Sequence, residues 1–130
     1  DIVPQPVLRK AQRPTRLGVL YFGSTSPAMQ EALDVLTEQG IDLDAMRLRA
    51  FPFPASVDQF IADHDKVFVV EQNRDAQMHS MLVNELSVDP ARLVKVLHYD
   101  GTPITARFIT QAIGKNLQPA ELNPPQKEAA

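Results

Sequence analysis

Two hydrophobic periodicities alternate along the middle of the chain, and this alternation limits the fold more than any other feature. Short apolar runs at 17–22 and 67–70 are typical of buried strands. An alternating segment at 45–50 predicts a strand with one solvent-facing side, and residues 93–99 predict a fourth strand. Segments with apolar residues at helical spacing lie between them. Four strand–helix alternations predict a three-layer α/β fold with a mainly parallel sheet covered on both faces.

The predicted helices carry apolar stripes and recognisable end signals. Residues 24–27 read as a hydroxyl cap followed by proline, and Gly40 ends that helix. Ser56 caps a short second helix after an extended FPFP loop, Asn73 caps the third, and residues 102–103 start the last. The predicted core positions of these helices are Met29, Ala32, Leu33, Leu36, Val57, Phe60, Ile61, Met78, Met81, Leu82, Leu86, Ile104, Phe108, Ile109 and Ala112.

Proline density divides the chain into three parts. Residues 1–16 are basic and proline-rich, and we interpret them as a linker or docking arm in which Val7 and Leu8 add a short edge strand. Residues 17–116 form a single α/β domain of ordinary proline content. Residues 117–130 contain little apolar material, which predicts a flexible tail.

Composition excludes several classes of function. The chain has no cysteine, which rules out disulfides, thiolate zinc sites, a catalytic thiol and cysteine-held iron–sulfur clusters within it. A net charge of −3 favours neither nucleic acid nor an anionic membrane as a partner. No apolar stretch reaches the roughly 18 residues of a membrane span and no signal sequence is visible, so we expect a cytoplasmic protein.

Three segments follow predicted strands and should lie at the carboxyl edge of the sheet, where α/β folds bind ligands. In the first, Ser24, Thr25 and Ser26 either hold an anion at a helix amino end or simply cap the helix. No phosphate-binding glycine motif accompanies them, which favours capping.

The other two segments carry acids and amides. Glu71 follows the most apolar strand, where a carboxylate is either a contact across an active-site or subunit interface or the partner of Arg74 or Arg107. Asn73 and Gln77 follow it as candidate interface residues. Asp100 and Thr102 read first as a turn and second as ligand contacts. No nucleophile stands beside a base in a recognised motif, so we assign no catalytic residue. The three histidines, at positions 64, 79 and 98, do not have metal-ligand spacing, so we assign no metal-binding residue.

Four segments, taken in order, resemble one enzyme family. They are GVLYFGSTSPAMQEALDVLTEQGI, LRAFPFP, VFVVEQNRDAQMHSMLVNEL and VLHYDGTPITARFI, within residues 16–113. They are similar to the carboxyl-terminal part of the α subunit of 2-oxoacid:acceptor oxidoreductases, most closely the 2-oxoglutarate:ferredoxin type. The EQN-R-x-x-Q stretch and the YDGTP stretch carry most of this resemblance.

The resemblance implies a transketolase C-terminal-like domain with a five-stranded sheet, mostly parallel, whose antiparallel edge strand lies near Pro6–Lys10. It also implies an enzyme that converts a 2-oxoacid and coenzyme A to acyl-coenzyme A and CO2, with electrons passed to ferredoxin. Thiamine diphosphate, Mg²⁺ and iron–sulfur clusters serve that chemistry, and the resemblance places them in other domains, with none bound by this domain alone.

The resemblance further implies partners: the rest of the α subunit, a β subunit and, through the complex, ferredoxin. A homodimer is left open. Since the chain starts at Asp1 and lacks the G-D-G start of a thiamine diphosphate motif, we expect a terminal module that supports subunit contacts. The alternative is a free-standing small-anion or nucleotide-binding module built on residues 23–26.

Overall fold

A computed structural model describes residues 5–49, 53–72, 77–86, 88–98 and 102–122. The strands are β1 (Val7–Arg9), β2 (Leu17–Phe22), β3 (Asp44–Leu48), β4 (Lys66–Glu71) and β5 (Leu93–Leu97). They form a five-stranded sheet in the order β1-β3-β2-β4-β5, in which β1 is antiparallel to β3 and the other neighbours are parallel. The helices are α1 (Ser26–Glu38), α2 (Ala55–Ala62), α3 (Gln77–Leu86), α4 (Ala106–Lys115) and α5 (Pro119–Leu122).

Helices cover both faces of this sheet, which confirms the predicted three-layer α/β fold with its antiparallel edge strand. On one face, α1 and α4 pack against a cluster that includes Val19 and Phe68. On the other face, α2 and α3 pack against a cluster that includes Leu20 and Val69. Because adjacent residues of the central strands point to opposite faces, an unbroken apolar run in β2 and β4 fills both cores.

Strand β3 differs from its prediction, because it has no fully solvated side. It lies between β1 and β2, so residues on both of its faces enter a core: Ala45 on the α1 side, Met46 and Leu48 on the α2 side. Only Arg47 of this strand is half-buried. The predicted alternation holds in part, because Met46 and Leu48 are buried while Arg47 is half-buried and Arg49, just past the strand, is exposed.

The helix starts also differ from the predicted caps. Helix α1 begins at Ser26, and Thr25 occupies the N-cap position without a side-chain hydrogen bond to the helix. Ser56 lies inside the first turn of α2, because Pro54 is the residue before that helix. Thr105, rather than residues 102–103, caps α4 by accepting a hydrogen bond from the Phe108 N–H at 3.1 Å. Position 73, the predicted cap of α3, lies outside the described residues.

Glycines explain two local features of the chain. Gly40 has a φ of +84° and ends α1, as predicted. At Gly18 a Cβ atom would lie 2.9 Å from Phe60 Cε2 and 3.2 Å from His64 Cγ. The absence of a side chain at this position therefore lets the end of α2 pack directly against β2.

The basic residues of the amino-terminal arm are tied to the domain. Arg9 Nη2 donates to Asp34 at 2.7 Å, Arg13 Nε to Asp42 at 2.9 Å, and Arg16 Nη2 to Asp65 at 3.0 Å. The arm therefore follows the domain surface on its way from β1 to β2.

At the other end of the chain, α5 lies in the segment that the sequence assigns to a tail. Lys66 Nζ donates to Glu121 at 3.0 Å and to the Asn116 carbonyl at 2.9 Å, which holds α5 near the start of β4. Residues 123–130 lie outside the described part. In the ranges that the structure describes, no helix is both long and apolar enough to cross a membrane.

Candidate functional site

A cavity of about 330 Å³ opens at the carboxyl edge of the sheet, where the sequence predicts a site. It lies where β2 and β4 end and α3 begins. Its walls combine apolar side chains with amides, a hydroxyl and a carboxylate. The lining residues are Phe22, Thr25, Val70, Glu71, Gln72, Gln77, Met78 and Met81.

Glu71 is buried, with 4% of its surface exposed, and its carboxylate binds the start of α3. Its oxygens accept hydrogen bonds from the Met78 N–H at 2.7 Å and from the His79 N–H at 3.0 Å. A carboxylate at a helix amino end satisfies free N–H groups and interacts favourably with the helix dipole. Glu71 therefore fixes the position of α3 relative to β4, while position 74, one of the two arginines predicted as its partner, lies outside the described residues.

Thr25 and Gln72 connect the ends of the two central strands. The Gln72 Nε2 donates to the Thr25 hydroxyl at 3.0 Å, although the two residues are 47 positions apart. Thr25 is 2% exposed, and its hydroxyl accepts this bond from Gln72 instead of capping α1. This bond closes one side of the cavity.

The structure brings together three of the eight predicted site residues: Thr25, Glu71 and Gln77 line the same cavity. Ser24 lies in a 3₁₀ turn before α1, and Ser26 is the half-buried first residue of that helix. Thr102 is exposed on the segment before α4. The predicted residues at positions 73 and 100 lie outside the described residues.

Sequence reasoning did not select Gln72, Phe22 or Met81 as site residues, yet all three line the cavity. Gln72 had a visible signal, because it is the polar residue directly after Glu71 at the end of the central strand. Phe22 and Met81 carried no such signal, since an apolar residue at a strand end or on a helix stripe normally indicates core.

The residues that line the cavity provide hydrogen bonding and apolar contact. Across the ranges that the structure describes, no three His, Cys, Asp or Glu side chains come together as they would to hold a metal ion. The chain has no cysteine to bind an iron–sulfur cluster. These residues therefore do not fit Mg²⁺-bound thiamine diphosphate or a cluster, and we derive no chemical step through either.

Comparison with known proteins identifies the family. Residues 16–121 match the pyruvate:ferredoxin oxidoreductase core domain II. The chain belongs to this family. Over 108 residues it is 29% identical to subunit alpha of 2-oxoacid:ferredoxin oxidoreductase 2 from Aeropyrum pernix, a match that covers 81% of this chain and 16% of that subunit.

Solved structures of related enzymes share the fold. A 2-oxoglutarate:ferredoxin oxidoreductase from Magnetococcus marinus, solved with 2-oxoglutarate, coenzyme A and succinyl-CoA bound, matches with a TM-score of 0.78 and 25% identity. That match covers 89% of this chain and 20% of the other. The alpha chain of a probable 2-oxoacid ferredoxin oxidoreductase from Thermoplasma acidophilum matches with a TM-score of 0.55 and 25% identity, over 85% of this chain and 95% of that chain.

A third structure bears on the fold alone. A split-gene transketolase described as an inactive beta4 tetramer matches with a TM-score of 0.68 at 19% identity, over 85% of this chain and 40% of that chain. Together with the oxidoreductase structures it confirms the transketolase-like topology that the resemblance implied. The chain thus corresponds to one domain of the far longer A. pernix and M. marinus proteins.

Proposed function

We propose that this chain is the terminal structural and interface module of the α subunit of a thiamine diphosphate-dependent 2-oxoacid:ferredoxin oxidoreductase. The observation that carries the proposal is the match of residues 16–121 to core domain II of this enzyme family. The match of 89% of the chain to only 20% of the M. marinus enzyme chain supports the role of a module. The enzyme would convert a 2-oxoacid and coenzyme A to acyl-coenzyme A and CO2, with the electrons passed to ferredoxin.

Within this proposal the substrate is 2-oxoglutarate and the chemistry lies outside the chain. The 2-oxoglutarate enzyme among its structural neighbours supports that substrate. Thiamine diphosphate, Mg²⁺ and the iron–sulfur clusters belong to other domains, because this chain has no cysteine and its described carboxylates and histidines form no metal site. Its partners are the rest of the α subunit and a β subunit, in the cytoplasm.

We assign the contact with these partners to the carboxyl edge of the sheet. The cavity there exposes Gln77 and half-exposes Met81 at the start of α3, beside the Gln72–Thr25 bond. Methionine and amide side chains suit a contact surface, because they combine apolar area with hydrogen bonding. We propose that Ser24, Ser26, Asn73, Asp100 and Thr102, which the sequence suggests as interface residues, also belong to this contact surface.

The assembled oxidoreductase tests this assignment. A Gln77→Arg, Met81→Arg double variant should lower the fraction of assembled complex at least about tenfold, because it adds two like, unpaired charges to the contact. Gln39→Arg, an exposed change after α1, is the matched control and should leave assembly unchanged. Assembly is measured by light scattering after gel filtration, and circular dichroism of the isolated chain verifies folding. Normal assembly of the double variant would contradict the proposed surface.

The isolated chain tests the assignment of chemistry. It should not turn over 2-oxoglutarate with coenzyme A and ferredoxin, and thiamine diphosphate with Mg²⁺ should give no binding heat in calorimetry. Turnover or tight cofactor binding by the isolated chain would overturn the proposal.

A small-anion module is the competing hypothesis, and the same preparation tests it. Stabilisation against thermal unfolding by inorganic phosphate or coenzyme A, abolished by a Ser24→Ala, Ser26→Ala double variant, would favour that function instead.

A further inference from the structure

We propose that the free edge of β1 and the groove beside it bind an extended, acidic segment of another protein chain by strand addition. The segment would carry one apolar residue flanked by acidic residues on the face that meets the groove. This surface lies away from the carboxyl edge, so the inference goes beyond the proposed function and does not depend on it.

The edge of β1 has the features of a strand-addition site. In the described sheet, β1 pairs only with β3, which leaves its second edge without a strand. Val7 and Leu8 are 44% and 49% exposed, and they are the large apolar side chains that stand out as exposed in the described ranges. Native proteins usually cover such an edge, because unpaired backbone N–H and C=O groups bind other strands.

A groove of about 540 Å³ lies next to this edge and supplies side-chain recognition. Leu8 pairs with Met46, a residue of the core on the α2 side, so Leu8 faces that side of the sheet. There it lines the groove together with Phe60 and His64 at the end of α2. A strand added to β1 would place alternate side chains along this groove, one of them against Leu8.

Positively charged side chains around the groove favour an acidic ligand. Lys10, Arg13 and Arg16 line it, and Lys10 makes no hydrogen bond or ion pair within the part of the chain that the structure describes. Arg13 and Arg16 each use one N–H group on an aspartate, while their side chains are 58% and 56% exposed. A guanidinium carries five N–H donors, so both retain donors for a further carboxylate.

The two acids that line the groove offset only part of this attraction. The Asp44 carboxylate accepts from the Ala11 N–H and lies 2.8 Å from His64 Nε2. Asp63 accepts from Gln59 at 2.8 Å. The three cations that line the groove exceed these two carboxylates by one positive charge, and the cations carry the remaining hydrogen-bond donors of their side chains.

A second copy of this chain fits the edge less well. Antiparallel pairing of two β1 strands about Leu8 would place Pro6 of one copy opposite Lys10 of the other. Proline brings neither a negative charge nor a backbone N–H to the new pair. The acidic extended segment is therefore the occupant that matches both the edge and the groove.

A short peptide measures this interaction directly. The probe is fluorescein-labelled Thr-Glu-Thr-Val-Thr-Glu-Thr, whose palindromic order presents Glu, Val and Glu on one face in either strand direction. We expect saturable binding in fluorescence anisotropy with a Kd below about 1 mM, at least about tenfold tighter than the peptide with Lys in place of both Glu residues. N-methylation of both the central valine and the threonine after it should abolish binding, because successive N–H groups of a strand point to opposite edges and one of the two must face β1.

Variants of the chain locate the site. Leu8→Ser should weaken binding of the acidic peptide at least about tenfold, because it removes the apolar contact without changing the charge, and Lys10→Glu should reverse the preference in favour of the lysine peptide. Arg49→Glu, an exposed change beyond the far end of β3, is the charge-matched control and should have little effect.

Three outcomes would overturn the proposal. The first is an acidic peptide that fails to bind at about 1 mM or binds no better than the lysine peptide. The second is undiminished binding after N-methylation, which would indicate a groove ligand instead of an added strand. The third is self-association of the free chain that Leu8→Ser abolishes in sedimentation experiments, which would assign the edge to a second copy.

Discussion

The amino and carboxyl ends of the parallel strands are held by different kinds of interaction. At the amino ends, Asp44 is buried between the Ala11 N–H and His64, and ion pairs join the arm and α5 to the domain. At the carboxyl ends, Glu71 binds backbone N–H groups and Gln72 binds a hydroxyl beside a cavity. The charged contacts of the amino ends hold the arm and α5 against the domain. The carboxyl ends keep amide and methionine side chains facing an opening, which suits the contact surface that we propose there.

The buried pair at the amino ends should give the largest effect on stability. Asp44→Ala removes the acceptor of the Ala11 N–H and of the imidazole of His64, whose Nδ1 lies 2.6 Å from the Phe60 carbonyl. Breaking such a pair should lower the free energy of unfolding by about 3–5 kcal/mol, measured by urea denaturation.

The matched control for Asp44 is Asp34, whose side chain is 68% exposed in its ion pair with Arg9. Asp34→Ala should cost no more than about 1 kcal/mol, because water screens an exposed pair. Equal losses for the two alanine variants would remove the distinction between a buried pair and surface pairs at this end of the sheet.

Glu71→Gln tests the carboxyl end. The amide keeps one acceptor oxygen but loses the charge and the second acceptor, so one N–H at the start of α3 loses its partner. We expect a loss of about 1.5–3 kcal/mol in the free energy of unfolding. Hydrogen exchange should accelerate at the Met78 and His79 amides.

Glu31→Gln, on the exposed face of α1, is the control for this substitution. If Glu71→Gln left exchange in α3 as slow as this control does, the carboxylate would not be what fixes α3.

Gly18→Ala tests the close packing of α2 on β2 near the amino ends. The new methyl group would meet the Phe60 ring at 2.9 Å, so the ring and the helix must shift. Overpacking of this kind costs about 1–3 kcal/mol, measured as a lower midpoint of thermal unfolding.

Gly114→Ala is the matched control, because nothing lies within 4 Å of a Cβ atom at that position in α4. It should stabilise the chain by up to about 1 kcal/mol through helix propensity. A Gly18→Ala variant as stable as the wild type would mean that α2 has room to move away from the sheet.

The parts of the fold that the sequence predicted are those set by local pattern. The apolar runs of β2 and β4 report burial on both faces, and the helical spacing of Met29 and Leu36 reports one buried face. Gly40 ends α1 as predicted, since its positive φ depends on its own chemistry.

The parts that the sequence did not predict depend on partners far along the chain. The sequence predicts that Thr25 belongs to a helix cap, but in the structure its hydroxyl accepts a hydrogen bond from Gln72, which is 47 positions away. The arm reads as a linker because its aspartate partners lie 25 to 49 positions away, as Arg9–Asp34 and Arg16–Asp65 do. The hydrophobic periodicity of a segment describes that segment alone. It therefore does not predict which distant loop or side chain the segment will contact in the fold.

The smallest effect concerns the carboxyl-terminal contact of α5. Burial opposes the charged form of Glu121 and is the largest influence on it, but hydrogen bonds from the Gln118 N–H and from Lys66 together hold its pKa below the ordinary value. A lowered pKa in the folded state stabilises the fold above the unfolded-state pKa, and this stabilisation disappears as the pH falls through the folded-state pKa. Glu121→Gln should therefore lower the free energy of unfolding by less than about 1 kcal/mol at neutral pH and not at all in acid.

Urea denaturation of the wild type and of Glu121→Gln from neutral pH down to about pH 3 measures this difference. Lys66→Met supplies the double-mutant cycle, in which the effect of Glu121→Gln should shrink. A difference between the two chains that stayed constant across the whole pH range would mean that the Glu121 carboxylate adds no charge-dependent stability to the docking of α5.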